Sequence, residues 1–221
     1  MNKQEILDEL RSALSGRTFD ALLPPIIFAV MNAFFDLTVA AITSIVIAVI
    51  LGLVRLIKKQ NWFYALGGFL AVSFAAGFAY FTGSAANYFF ASLISSGFVF
   101  LLALGSLLLG RPLAAWLSHL SRGWPLSWFW RRDVKPAYRE VTMVWTVLLF
   151  ARFFIRLFFF QRGSAVELAW INTLSGWPLI LPVLILSYVY GIWRLKNLQG
   201  PGVEEYQKGE KPPWKGQTRG F

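Results

Sequence analysis

The amino-acid sequence predicts an all-α, polytopic transmembrane helix bundle of about six spans, with short amphipathic helices at the membrane interface. Three observations carry this. Of the 221 residues, 57% are hydrophobic and 14% charged, against about a quarter charged in ordinary globular domains; mean hydropathy is +0.56. The apolar residues gather into runs near the roughly 20 residues that a helix needs to cross a hydrocarbon layer. The charges gather between the runs, with Lys and Arg concentrated in alternate connections.

Taken in order, residues 1–20 place Ile6, Leu7, Leu10 and Leu14 at helical spacing, opposite Lys3, Glu5, Asp8 and Arg11. That pattern describes an amphipathic cytoplasmic helix, lying either on the membrane surface or as a solvated helix on the bundle. The acidic residues among its bases and the lack of a small-residue cleavage site argue against a cleaved signal. Asp20 is placed to cap the next helix, with Pro24 and Pro25 in its first turn.

The membrane domain is expected over residues 21–196. The first span, residues 22–35, is short for a full crossing, so it either tilts in a thinned bilayer or forms a re-entrant arm. The second covers 38–57, the third 62–81 and the fourth 88–109. After a long basic interfacial segment, 111–139, come the fifth span at 141–160 and the sixth at 170–193. Within the interfacial segment, Leu113, Trp116, Leu117 and Leu120 share a face opposite Ser118, His119, Ser121 and Arg122, the pattern of a helix lying in the interface. Trp124, Trp128, Phe129 and Trp130 extend that aromatic belt toward anionic lipid. Residues 197–221, rich in Gly, Pro, Lys and Glu, lack the apolar surface to fold alone and are expected to form a flexible cytoplasmic tail.

Counting Lys and Arg orients the bundle. Successive connections hold three, none, three, none, six, one and six, so that 18 of the 21 fall on one side. Under the positive-inside rule that side is cytoplasmic, an even number of crossings is required, and both termini lie inside. The expected location is a bacterial plasma (inner) membrane. The net charge of +10 then finds its counter-charge in anionic headgroups on the cytoplasmic side, and no nucleic-acid partner is needed to explain it.

Two polar or small-residue constellations stand out. Arg152 and Arg156 share one face of the fifth span; Arg152 lies roughly 17 Å along the helix from Val141, just past the midplane. Such side chains must face protein, water or a negative partner. They mark either an anion or headgroup site, or a structural pair in which Arg152 meets helix carbonyls or Asp36 while Arg156 reaches the outer surface. On the third span Gly67, Ala71, Ala75, Ala79 and Gly83 recur every four residues, a row on which another helix can pack closely, within the chain or in a second copy. Pro178 and Pro182 are placed to kink the sixth span.

Catalytic inventory is poor. The chain has no cysteine and one histidine, His119, without nearby carboxylates, so no catalytic, metal or cofactor residues are assigned and the chain is not expected to be an enzyme.

The order of features resembles the uncharacterised membrane family DUF3159. The residues that carry the likeness are Leu22-Leu23-Pro24-Pro25, Asp36, Val54-Arg55, Tyr64-Ala65-Leu66-Gly67-Gly68, Gly110-Arg111-Pro112-Leu113, Trp130-Arg131-Arg132-Asp133 and Ala137-Tyr138 through Trp145. More distantly, the chain is similar to the bacterial intracellular septation protein A family. That second resemblance implies a role in envelope integrity, wall elongation or division through membrane-protein partners. The leading expectation is a non-enzymatic envelope-maintenance scaffold; the alternatives are a small-solute transporter or channel, and an accessory subunit of a larger membrane complex.

Overall fold

The computed structural model describes residues 16–59, 62–217 and 220–221 and is helical, with no strand among them. The helices are α1 (Gly16–Phe34), α2 (Leu37–Ile57), α3 (Trp62–Thr82), α4 (Phe90–Leu108), α5 (Leu113–Arg122), α6 (Leu126–Phe129), α7 (Lys135–Gln161), α8 (Ala165–Leu174), α9 (Trp177–Leu198) and α10 (Val203–Lys208). A 3-10 turn, Ala85–Phe89, leads into α4. The amphipathic helix expected over residues 1–20 falls almost wholly outside the described residues.

Five helical segments are long and apolar enough to cross a membrane: Leu37–Ile57, Ala65–Thr82, Ala85–Leu108, Lys135–Gln161 and Ala165–Leu198; Leu23–Phe34 is a shorter apolar helix. Their side chains explain why lipid must be the solvent. Phe81 is 86% exposed, and Ile57 and Phe34 are 80% exposed each. Water would not tolerate apolar surface on that scale, whereas hydrocarbon does not oppose it.

Helix ends follow local chemistry. At the start of α2 the Asp36 carboxylate accepts from the Val39 amide at 2.8 Å, satisfying one of the orphan donors of the first turn. After α3, Gly83 takes φ +67 while its own amide bonds to the Tyr80 carbonyl and that of Ser84 to the Ala79 carbonyl. This left-handed stop is one a side chain would strain.

Two details differ from the sequence reading. Helix α1 already includes Gly16, so Pro24 and Pro25 lie inside it rather than in its first turn, and Asp20 is within the helix instead of capping it. Each proline removes an amide donor there, leaving the carbonyl four residues earlier without its helical partner. The sixth span, expected as one helix from 170, is broken by a turn at residues 175–176 into α8 and α9. Pro178 sits in the first turn of α9, where its missing amide costs little, and Pro182 lies inside the helix.

The chain divides into two compact units. The first comprises the described residues up to Ile94 together with Phe154–Gly176; the second comprises Ser95–Phe153 with Trp177–Phe221. In the first unit, alanines of α2, α3 and α8 close around Phe28, Tyr88 and Phe89, with the Phe28 and Tyr88 rings stacked at 4.1 Å. The second unit buries Ala115, Trp128, Phe129, Val134, Ala137, Tyr138, Leu195 and Val203.

That second core departs from the sequence reading twice. Trp128 and Phe129, expected in a lipid-facing belt, are fully buried. Residues 199–217, expected as a flexible tail, pack over them: Trp128 Nε1 donates to the Pro201 carbonyl at 2.9 Å, and Val203 is buried in the same cluster. The segment lacks a core of its own but uses aromatic surface supplied by the interfacial stretch, and a compositional reading of either piece alone does not contain that pairing.

Candidate functional site

Helix α7 carries both intramembrane arginines, one turn apart, and they serve different units. Arg156 belongs to the first and is 4% exposed. Its Nη1 donates to the Ser92 carbonyl at 3.4 Å. The Ser92 hydroxyl donates to the Phe89 carbonyl at 2.8 Å and accepts from Asn172 Nδ2 of α8 at 3.4 Å. The guanidinium thus sits on a polar node joining α4, α7 and α8, rather than reaching an outer surface. A buried cation is tolerable where oxygen atoms replace its water.

Arg152 belongs to the second unit. Its Nε is shielded from solvent and meets no hydrogen-bond acceptor. The side chain lines a cleft of about 490 Å³ built from α4, α5, α7 and α9. On α7 the lining residues Val141, Trp145, Leu149 and Arg152 recur at helical spacing, and on α9 Ile180, Leu184, Ser187 and Tyr188 do the same. Near its middle, Trp145 Nε1 donates to Ser187 Oγ at 3.0 Å, fixing α7 against α9. Thr142 Oγ1 accepts from the Ala114 amide at 3.2 Å and so anchors the start of α5. Arg122, on α5, is the other cation of the lining and lies over the Trp124 ring at 5.0 Å. No Asp or Glu side chain lines this cleft, and Phe221, the last residue of the sequence, also lies in the lining.

Asp36, the acid proposed from sequence as a partner for Arg152, is engaged at its own helix start, in the first unit. Within the chain, the four-residue row on α3 is only partly a packing surface. Ala79 is buried and Ala75 half-buried, but Gly67 and Ala71 are exposed and Gly83 forms the helix stop. A strict four-residue repeat advances about 40° per step around an α-helix of 3.6 residues per turn, so the row winds off any single face. The buried face instead follows Ala65, Phe69, Val72, Ala76 and Ala79, at steps of four and three.

Sequence reasoning missed the surface against which α3 packs. On α2 Ala40, Ser44 and Ala48 are buried, and a Cβ at Gly52 would stand 3.9 Å from the Ala65 carbonyl. The small residues of this second row were as legible as those of α3. Also missed was the bidentate pair of Glu140 and Arg194, with Nε to Oε2 at 2.8 Å and Nη2 to Oε1 at 2.9 Å. The Tyr190 hydroxyl donates to the same carboxylate at 2.7 Å. This ties α7 to α9 across a sequence separation that a single sequence does not bridge. Among the described residues no three His, Cys, Asp or Glu side chains come together as a metal-holding group.

Long apolar helices exposing their side chains, with polar groups gathered at a node and a cleft, define a multi-pass α-helical membrane protein. Within that class the chain belongs to DUF3159, a family described as a protein of unknown function, whose model matches residues 16–196. No curated protein and no solved structure matches the chain.

Proposed function

We propose that this chain is a non-enzymatic scaffold of the bacterial inner membrane that serves envelope maintenance by holding membrane-protein partners, with both termini in the cytoplasm. The observation that carries the reading is the packed platform of the second unit. There Arg111 lies over Trp130 at 5.5 Å, and Arg131 lies over Tyr206 at 5.7 Å and over Trp214 at 5.3 Å. Tryptophan, tyrosine and arginine on a preformed surface are the residue types that dominate binding energy at interfaces. The concentration of Lys and Arg in alternate connections supports a cytoplasmic position for this platform. The envelope role rests on the more distant resemblance to the septation protein A family read from the sequence, and goes beyond the matched family.

A second reading, a small-solute transporter, is favoured by Arg152 at its cleft. One experiment separates the two: gentle purification from native membranes, identification of co-purifying proteins, and a flux assay of the isolated protein in liposomes. A reproducible partner that is lost on Trp214→Ala, with no solute flux, is the expected result. Flux that disappears in Arg152→Gln, with the variant still folded, makes the chain a transporter instead.

A further inference from the structure

We propose that the cleft of the second unit holds one acidic lipid drawn from the bilayer, its acid group on the Arg152 guanidinium and its acyl chain along Val99, Leu149, Ile180 and Leu184. The ligand class follows from the lining. Two arginines and no acidic side chain line the cleft, so its side-chain charge is complementary to an anion. Among its polar groups, Trp145 and Thr142 already donate to Ser187 and to the Tyr138 carbonyl, while Arg152 Nε meets no acceptor. The Tyr188 hydroxyl accepts from the Gly220 amide at 3.2 Å and Ser187 Oγ accepts from Trp145, so each hydroxyl proton remains available to an incoming oxygen.

Arg152 supplies the second argument. A guanidinium inside a membrane helix is costly unless an oxygen partner replaces its hydration, and here Nε is buried with no such partner among the described residues. Arg152 shares the lining of the cleft with the Trp145 and Ser187 pair. An acid headgroup there completes the fork of donors that arginine presents to carboxylate or phosphate.

The walls distinguish a lipid from a free anion. Most of the lining is aliphatic or aromatic, so an inorganic phosphate would shed its water against methyl groups with nothing gained. An acyl chain gains with every methylene it buries. A cleft of about 490 Å³ falls within the roughly 300–1,000 Å³ of small-ligand sites.

The test is native mass spectrometry of the full chain released from nanodiscs that contain phosphatidylglycerol and phosphatidylcholine with the same acyl chains. The expected result is one phosphatidylglycerol retained per chain with at least a tenfold preference. That preference falls to less than twofold in Arg152→Gln, survives in part in Arg152→Lys and is unchanged in Arg139→Gln. Leu184→Trp fills the cleft without touching the charge and reduces retention of both lipids. If Arg152→Gln does not fold, Leu184→Trp decides alone, and unaltered retention in it overturns the proposal. Equal retention of the two lipids by the unmodified protein overturns it too. So does a rise in melting temperature with inorganic phosphate as large as with phosphatidylglycerol.

Discussion

Arg156 and Arg152 show how one turn of helix separates two fates for the same side chain. Arg156 meets the Ser92 carbonyl in a tight interior, and replacing it by alanine removes that bond while leaving a cavity. Arg156→Ala is therefore expected to cost about 1–3 kcal/mol. Arg152→Gln removes a guanidinium that lacks the carbonyl bond Arg156 makes and is expected to be neutral or stabilising in lipid-free detergent. Unfolding of both variants in mixed micelles measures the contrast, and equal losses would contradict the different environments of the two guanidinium groups.

Glu205 offers a second prediction at the residue scale. Its carboxylate accepts from the amides of Gly202 at 2.7 Å, Lys215 at 2.6 Å and Gly216 at 3.1 Å. These bonds, that of Gly202 foremost, favour the charged form and hold the group below its ordinary value of 4.5. A depressed carboxylate contributes stability that is full above pH 4.5 and is lost as pH falls from there through the lowered value. The folded segment 202–216 should loosen in that acid window. The chain has no cysteine, so a nitroxide on Glu210→Cys reports on it alone. Its mobility is expected to rise on acidification, and to be high at every pH in Glu205→Ala.

Between elements, the contact that matters is α2 on α3. Ala40, Ser44 and Ala48 let the backbones approach because nothing larger intervenes. Enlarging a buried member, as in Ala48→Leu, is expected to cost about 1–3 kcal/mol through overpacking. Gly67→Leu, at a position where an added Cβ meets nothing within 4 Å, is expected to change stability by less than about 0.5 kcal/mol. Comparing the two in the same unfolding assay tests which small residues form the seam. A large loss from Gly67→Leu would instead show that the exposed end of the α3 row packs against something outside the chain.

For the whole molecule, the basic connections predict sidedness. Single cysteines introduced at Ser127 in the interfacial segment and at Lys211 in the tail should both resist impermeant labelling of intact cells. A cysteine at Gly163 should react. Labelling of one basic segment without the other would break the shared cytoplasmic face.

Much of this arrangement was legible from one-dimensional pattern, because helix in hydrocarbon is specified by run length and by where charge is excluded. The second, third and fifth spans, α2, α3 and α7, were read in nearly their observed positions for that reason. What required the third dimension was partner choice. Whether Trp128 meets lipid or the Pro201 carbonyl, whether Asp36 pairs with a distant arginine or caps Val39, and whether a polar tail docks are competitions between surfaces. A residue's own neighbours in sequence do not settle them. The amino-acid order determined the solvent and the helices; tertiary packing alone decided which side chains each helix presents to protein and which to lipid, since burial depends on what stands opposite.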